Sequence, residues 1–270
     1  MSDSPLILLI NLDSRKDRLK KMTERLKKHD FIRIAAASVS EQDCSDISSK
    51  RKLSLPEIAC INSHINALNT FLETEHETCI ILEDDVVLGD YFSNFVSKFK
   101  FLPKYVFVIK LETHLNKFYH SRFSVIEEGF KFNRIHSFHY GSAAYATSRN
   151  GALEIIKELE QYNIPVDDVI FDHMVTEKEF GEAWQLNPAS CIQEHHLFED
   201  LKTDSDIAVS RKISFSKKRE IDTFKSSEVR FKLKILLSAL KKIKKEIVRE
   251  VVKAKSFMTL KIRKKINYKE

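Results

Sequence analysis

An α/β fold, a mostly parallel sheet flanked by helices, is the class this 270-residue sequence predicts. The chain opens as an apolar run, an amphipathic stretch and a second apolar run, the β-α-β order that builds parallel sheets with crossover helices. A further apolar run, "CIIL" at Cys79 to Leu82, follows a long helical pattern directly. It ends in three consecutive acids, Glu83, Asp84 and Asp85, where an interior strand would leave the core.

Residues 6 to 12, interrupted by Asn11, read as the first strand. In "SRKDRLKKMTERLKKHD" the apolar residues Leu19, Met22 and Leu26 recur at helical spacing among charges, and "FIRIAA" reads as a short second strand. A polar loop from Ser38 to Ser54 leads to "LPEIACINSHINALNTFLET", where Pro56 suits a first helical turn and Ile58, Ile61, Ile65, Leu68 and Leu72 keep a spacing of three to four. Downstream, "YVFVIKL" and "SAAYATS" read as strands, "RNGALEIIKELEQY" as a helix, and "NIPVDDVIFDHMVTEKEF" as a proline turn entering an amphipathic helix. "AWQLNPASCIQE" closes the body as a strand and turn.

With 43% apolar residues, five Gly and five Pro, the composition excludes a fibrous or low-complexity protein. No window approaches the roughly 18 apolar residues of a membrane-spanning helix. The N-terminal run lacks the basic segment of a secretory signal. Four widely spaced cysteines (Cys44, Cys60, Cys79, Cys191) form no C-x-x-C pair, so the expectation is reduced, structural thiols. Charge is unevenly spread: residues 211–270 hold 21 Lys and Arg against 6 Asp and Glu, a balance of +15, whereas residues 1–210 carry −9. The chain therefore divides into a body, 1–210, and a basic tail, 211–270. In that tail Leu233, Leu236, Leu240, Ile243, Ile247 and Val251 form one apolar face between about 228 and 254, with lysines elsewhere. Such a helix suits an anionic membrane surface; a docked C-terminal helix with solvated lysines is the alternative, and docking does not exclude the membrane. Nucleic acid is not the expected partner, because the tail has few aromatics to stack bases.

Acids at the carboxyl end of a central strand lie where open α/β sheets bind ligands. Carboxylate oxygens there would suit a hard cation, Mg²⁺ or Mn²⁺, although a solvated strand end accounts for E-D-D equally well. In order, "LILLINLDSRKDR", "LSLPEIACINSHINAL", "CIILEDDVVL", "GSAAYATSRNGALEII", "NIPVDDVIF" and "NPASCIQ" resemble glycosyltransferase family 25, the lipooligosaccharide biosynthesis glycosyltransferases, over about residues 6 to 210. The tail lies outside that resemblance.

The resemblance implies a GT-A-like, nucleotide-sugar-binding sheet in which "EDD" is the metal motif, with Asp85 as first ligand, Asp84 as second, and Glu83 orienting the sugar or a neighbouring side chain. Asn11, Leu12, Arg15 and Arg18 would border the nucleotide, an arginine approaching the diphosphate. Ser63 and His64 match the family's Ser-His helix motif, while a lone histidine on an apolar helix face is as readily a satisfied core residue. Gly141 and Ser142 would line the donor sugar, or merely begin a strand after a turn. Gln193 sits in the "PASCIQ" motif, and His195, beside His196, is a further candidate metal ligand. Asp168, then Asp167, is the expected base of an inverting transfer; helix capping is the alternative use of either, and Asp172 is a lesser candidate. The implied activity is metal-dependent inverting transfer of a sugar, galactose from UDP-galactose, to a lipid-linked lipooligosaccharide or lipopolysaccharide acceptor. The enzyme would be cytoplasmic and peripheral on the inner face of the bacterial inner membrane. A non-catalytic binding or scaffold module on the same fold is the alternative.

Overall fold

The computed structural model describes residues 4–38, 53–100, 102–115, 117–121, 124–161, 164–176, 180–197 and 261–265. Strand β1 (Leu6–Asn11) is buried along its whole length, because β2 (Phe31–Ala35) and β3 (Thr78–Glu83) flank it, both in parallel. Parallel neighbours need a crossover. Helix α1 (Lys16–Arg25) supplies it between β1 and β2, and α2 (Leu55–Leu72) between β2 and β3. The start of α2 is fixed by Ser54 and Glu57: Glu57 Oε2 accepts from both the Ser54 N–H and its hydroxyl at 2.8 Å, with Pro56 in the first turn.

Side chains alternate along β1. Leu6, Leu8 and Ile10 enter a core layer with α2 and α4 (Arg149–Gln161), whereas Ile7 and Leu9 enter a second layer with α1 and α3 (Asp90–Lys98). Strand β3 does the same, Cys79 and Ile81 on one side and Ile80 and Leu82 on the other. The result is the three-layer α/β arrangement that continuous apolar strands require. Each fully buried Leu or Ile contributes about 1.5–3 kcal/mol.

The sheet continues through β5 (Val106–Lys110), β7 (Val125–Glu127), β8 (Phe130–Arg134), β9 (Ala144–Ser148) and β10 (Glu182–Leu186), in the order β2-β1-β3-β9-β5-β10-β8-β7. Strand β9 runs antiparallel to both β3 and β5, β10 is parallel to β5, and β8 is antiparallel to β10 and β7. Six strands therefore share one direction and two, β9 and β8, oppose it; three of the seven pairings are parallel and four antiparallel, so the α/β class that the sequence predicts is met with a mixed sheet. A two-stranded ribbon pairs β4 (Val86–Leu88) with β11 (Cys191–Gln193), antiparallel, and leads into the short helix α7 (Glu194–Leu197).

Two segments differ from expectation. After Pro165 the chain forms not one amphipathic helix but α5 (Val166–Asp168), a π-helical turn (Val169–His173) and α6 (Met174–Thr176). Val169, Ile170 and Phe171 are all buried, and three successive apolar residues are too wide an arc for a single α-helical stripe; the widened turn accommodates them. In the tail, Lys261–Lys265, expected within a helical extension, forms a strand β12 antiparallel to β6 (Lys117–Ser121). Leu260 and Ile262 alternate with Lys261 and Arg263, a period of two that suits a ladder. The amphipathic stretch at 228–254 lies outside the described residues. Among the described residues, no helix is long and apolar enough to cross a membrane.

Candidate active site

Because β1, β2 and β3 run the same way, their carboxyl ends reach one edge of the sheet, and the N-terminal half of α2 stands over that edge. Between them is a cleft of about 430 Å³. Asn11, Leu12 and Arg18 line it from β1 and the start of α1, residues 36–38 from the end of β2, Cys60, Ser63 and His64 from α2, Glu83, Asp84 and Asp85 from the end of β3, and Gln193 from β11. Residues scattered over 180 positions thus meet at the crevice where sheets of this class bind ligands.

Asp84 is held on both oxygens: Asn11 Nδ2 donates to Oδ2 at 2.7 Å and Arg18 Nη1 to Oδ1 at 2.9 Å. Asn11 is itself consumed, since its amide also donates to the Arg15 carbonyl at 3.1 Å and its oxygen accepts from Arg33 Nε at 3.0 Å. Asn11, an expected nucleotide contact, lines the cleft and at the same time braces the acidic turn. Ser63 has a comparable part, donating to the Ala59 carbonyl at 2.7 Å and accepting from the Ala37 N–H at 2.8 Å. Asp85 has weaker support. Gln193 Nε2 lies 3.2 and 3.3 Å from its two oxygens, brought there by the β4–β11 ribbon, and the Asp85 carbonyl accepts from the Glu194 N–H at 2.8 Å. Burial, reinforced by the charge of Glu83 and only partly opposed by Arg18 and Gln193, pushes the Asp85 carboxyl up to about 7. An acid so poorly compensated fits a cation-binding position.

Glu83 turns toward α2, where its Oε1 lies 3.3 Å from His64 Nε2. The His64 ring is fully buried, stacks on Tyr145 and meets the Tyr145 hydroxyl through Nδ1 at 3.0 Å. Cys60 completes a group: its sulfur, a His64 ring nitrogen and a Glu83 oxygen all lie within 4.8 Å of one another. Sequence reading treats Cys60 as structural and misses this. The available signal was the four-residue spacing of Cys60 and His64, which puts both on one helix face.

The remaining candidates stand elsewhere. Arg15 pairs with Asp17 at 3.2 Å and is not among the residues lining the cleft. Asp167 accepts the Gly141 N–H at 3.0 Å, so it fastens a neighbouring loop rather than capping its own helix; Asp168 is half-buried beside it, and Asp172 is exposed on the π-helical turn. Gly141, at a φ of 86°, approaches a second polar cluster so closely that a Cβ there would lie 1.9 Å from His114 Nε2. Its carbonyl accepts from Lys110 Nζ. Lys110 also donates to Glu112 at 3.0 Å, and Glu112 accepts from the Ala143 N–H at 2.6 Å; Ser142 between them is buried. Burial alone would raise Glu112, but the charges and hydrogen bonds of Lys110 and His114 outweigh it and hold the carboxyl well below its usual range. His195 lies near this cluster, its ring 4.0 Å from that of His196, which in turn bonds His114 at 2.9 Å. The structure therefore groups His195 with His114 and His196, not with the residues lining the acidic cleft.

The sequence matches the family model described as "Glycosyltransferase family 25 (LPS biosynthesis protein)" over residues 5–170. It is similar to the lipooligosaccharide biosynthesis protein lex-1 of Haemophilus influenzae, with 30% identity over 78% of this chain and 69% of that protein. A putative glycosyltransferase of the same organism is 26% identical over 75% of each chain. The lacto-N-neotetraose biosynthesis glycosyltransferase LgtB of Neisseria meningitidis serogroup B is 31% identical over 56% of this chain and 58% of its own. Among solved structures, a glycosyltransferase involved in glycosylation of the major capsid of PBCV-1 aligns over 71% of this chain and 92% of its own, at 11% identity and a TM-score of 0.42. With more than half of its length matched by the model, the chain belongs to glycosyltransferase family 25.

Proposed function

We propose that the protein transfers galactose from UDP-galactose, with inversion at the anomeric carbon, to a lipid-linked lipooligosaccharide or lipopolysaccharide acceptor. The observation that carries this reading is the convergence of Arg18, Glu83, Asp84, Asp85 and Gln193 on one cleft at the carboxyl ends of β1 and β3. The relatives' names support the oligosaccharide setting, lipooligosaccharide biosynthesis for lex-1 and lacto-N-neotetraose biosynthesis for LgtB.

Asp85, supported by Asp84, would hold Mn²⁺ or Mg²⁺, whose double charge stabilises a nucleoside diphosphate as it leaves. The oxygen donor set and the poorly compensated Asp85 fit such an ion. Arg18, already fixed on Asp84, adds a guanidinium within the same cleft. Gln193 orients Asp85, and Leu12 with residues 36–38 adds further walls of the cleft. In the transfer step the acceptor hydroxyl oxygen bonds to the anomeric carbon, the carbon–phosphate oxygen bond breaks on the opposite face, and one carboxylate takes the hydroxyl proton. Asp168 is the favoured carboxylate and Asp167 the second. The basic tail would hold the enzyme on anionic lipid at the cytoplasmic face of the inner membrane, raising its concentration near the acceptor.

Release of UDP from a panel of UDP-sugars, with and without Mn²⁺, tests the reading. UDP-galactose hydrolysis that rises at least tenfold with Mn²⁺ and vanishes in Asp85→Asn is expected. Absence of metal stimulation with every donor would favour the non-catalytic alternative.

A further inference from the structure

We propose that Cys60, His64 and Glu83 form a second cation site, distinct from the Asp84–Asp85 oxygens, selective for a borderline-soft divalent ion of the Zn²⁺ type. The three ligand atoms lie within 4.8 Å of one another and comprise one sulfur, one imidazole nitrogen and one carboxylate oxygen. Thiolate and imidazole ligands select zinc-like ions, whereas carboxylate oxygens alone suit magnesium or manganese. Two of the ligands come from one helix face at positions i and i+4, and the third from the adjoining strand end, so secondary structure fixes the arrangement.

The surroundings of His64 favour ligation. A metal-bound imidazole needs its other nitrogen held, and His64 Nδ1 meets the buried hydroxyl of Tyr145 at 3.0 Å. That hydroxyl can accept the Nδ1 proton as well as donate one, so the tautomer with a free lone pair on Nε2 is satisfied in place. Nε2 faces Glu83 Oε1 at 3.3 Å, and an ion lodged toward Cys60 would draw on both. Tetrahedral zinc bonds of about 2.0–2.3 Å set ligand atoms roughly 3.3–3.7 Å apart. His64 Nε2 and Glu83 Oε1, at 3.3 Å, already stand so, and the Cys60 sulfur, within 4.8 Å of both, closes the set with a side-chain movement of at most about 1 Å. One thiolate and one carboxylate balance the ion's two charges, the thiol proton passing to solvent. Cys60 is half-buried and lines the cleft, which leaves the fourth position open to water or to a ligand.

The site lies in the cleft assigned to the donor, but its test needs no sugar transfer, so the two readings fail separately. Full-length protein, stripped of metal and kept reduced, is titrated with Co²⁺ while thiolate-to-cobalt absorption in the near ultraviolet is followed. A saturable band of one equivalent, displaced by Zn²⁺ but not by excess Mn²⁺, is expected. Cys60→Ser should abolish it, and His64→Gln and Glu83→Gln should each weaken Co²⁺ binding at least tenfold, with Trp184 fluorescence reporting that each variant remains folded. No band in the wild-type protein, a band that persists in Cys60→Ser, or unchanged affinity in both other variants would overturn the assignment.

Discussion

Two acidic clusters lie on this sheet, and they are built in opposite ways. Glu112, fully buried near the end of β5, is matched by the Lys110 ammonium and the Ala143 N–H, and its carboxyl is held far below its ordinary value. Asp85, in the cleft at the end of β3, is met on its carboxylate by the Gln193 amide alone among the described residues' hydrogen bonds and is pushed up to about 7. The first arrangement is compensated in charge: the Lys110 ammonium lies against one Glu112 oxygen at 3.0 Å and the His114 ring 3.4 Å from the other, although that second oxygen and His114 Nε2 make no well-aligned hydrogen bond among the described residues. The second is incomplete and opens on a cleft. Buried charge by itself does not mark function; an imbalance facing accessible space does.

The largest expected effect would break the compensated cluster. Lys110→Met leaves Glu112 without its buried cation and should cost about 3–5 kcal/mol in urea unfolding. A loss under about 1 kcal/mol would mean that Glu112 is not balanced as described. The open cluster should answer in the opposite sense. Asp85→Asn should lower metal-stimulated turnover by roughly a hundredfold or more, an effect of about 2.7 kcal/mol or above on the barrier, with the fold unimpaired.

The pH dependence sharpens the contrast. An acid whose folded-state pKa is raised stays protonated in the native protein while the unfolded chain ionises. Its contribution to stability therefore falls as pH rises from about 4 to about 7. Asp85→Asn should flatten that slope, leaving the variant more stable than wild type at pH 8 by on the order of 1–3 kcal/mol in metal-free buffer. Mn²⁺ competes with the proton for the same carboxylate, so it should raise the melting temperature by more at pH 8 than at pH 6, by a few degrees at saturating ion. Equal shifts at both pH values would place the ion elsewhere. The smallest effect concerns an exposed pair. Lys27 and Glu24, largely solvated and three residues apart, should contribute no more than about 0.5 kcal/mol, measurable as Lys27→Ala.

Much of this contrast was legible in the sequence on one side only. The apolar runs of β1 and β3, the spacing of Ile58, Ile61 and Leu68 in α2, and the acids after Leu82 are local patterns, and they give the α/β class and the position of the cleft. Direction was less accessible. "SAAYATS" reads as a strand, but nothing within it tells that β9 opposes both its neighbours, because pairing is decided by residues more than 30 positions away. Gln193 reaches Asp85 only through a ribbon spanning about a hundred residues, and the hydrogen bonds by which Asn11 and Ser63 brace the turn and the end of β2 join positions that no local pattern links. The Lys110–Glu112–His114 cluster gave no signal at all: alternating polar residues at a strand end look solvated until the fold encloses them.

The β4–β11 ribbon has a consequence for how the molecule comes into being. On the ribosome, the acidic turn emerges early, yet the amide that steadies Asp85 follows more than a hundred codons later. A nascent chain arrested between Asp85 and Gln193 would already carry its carboxylates but lack the strand that aims them. Competence to bind is thus deferred until the body is nearly complete, and a premature stop codon in that interval yields a product with the sheet's first strands and no finished cleft.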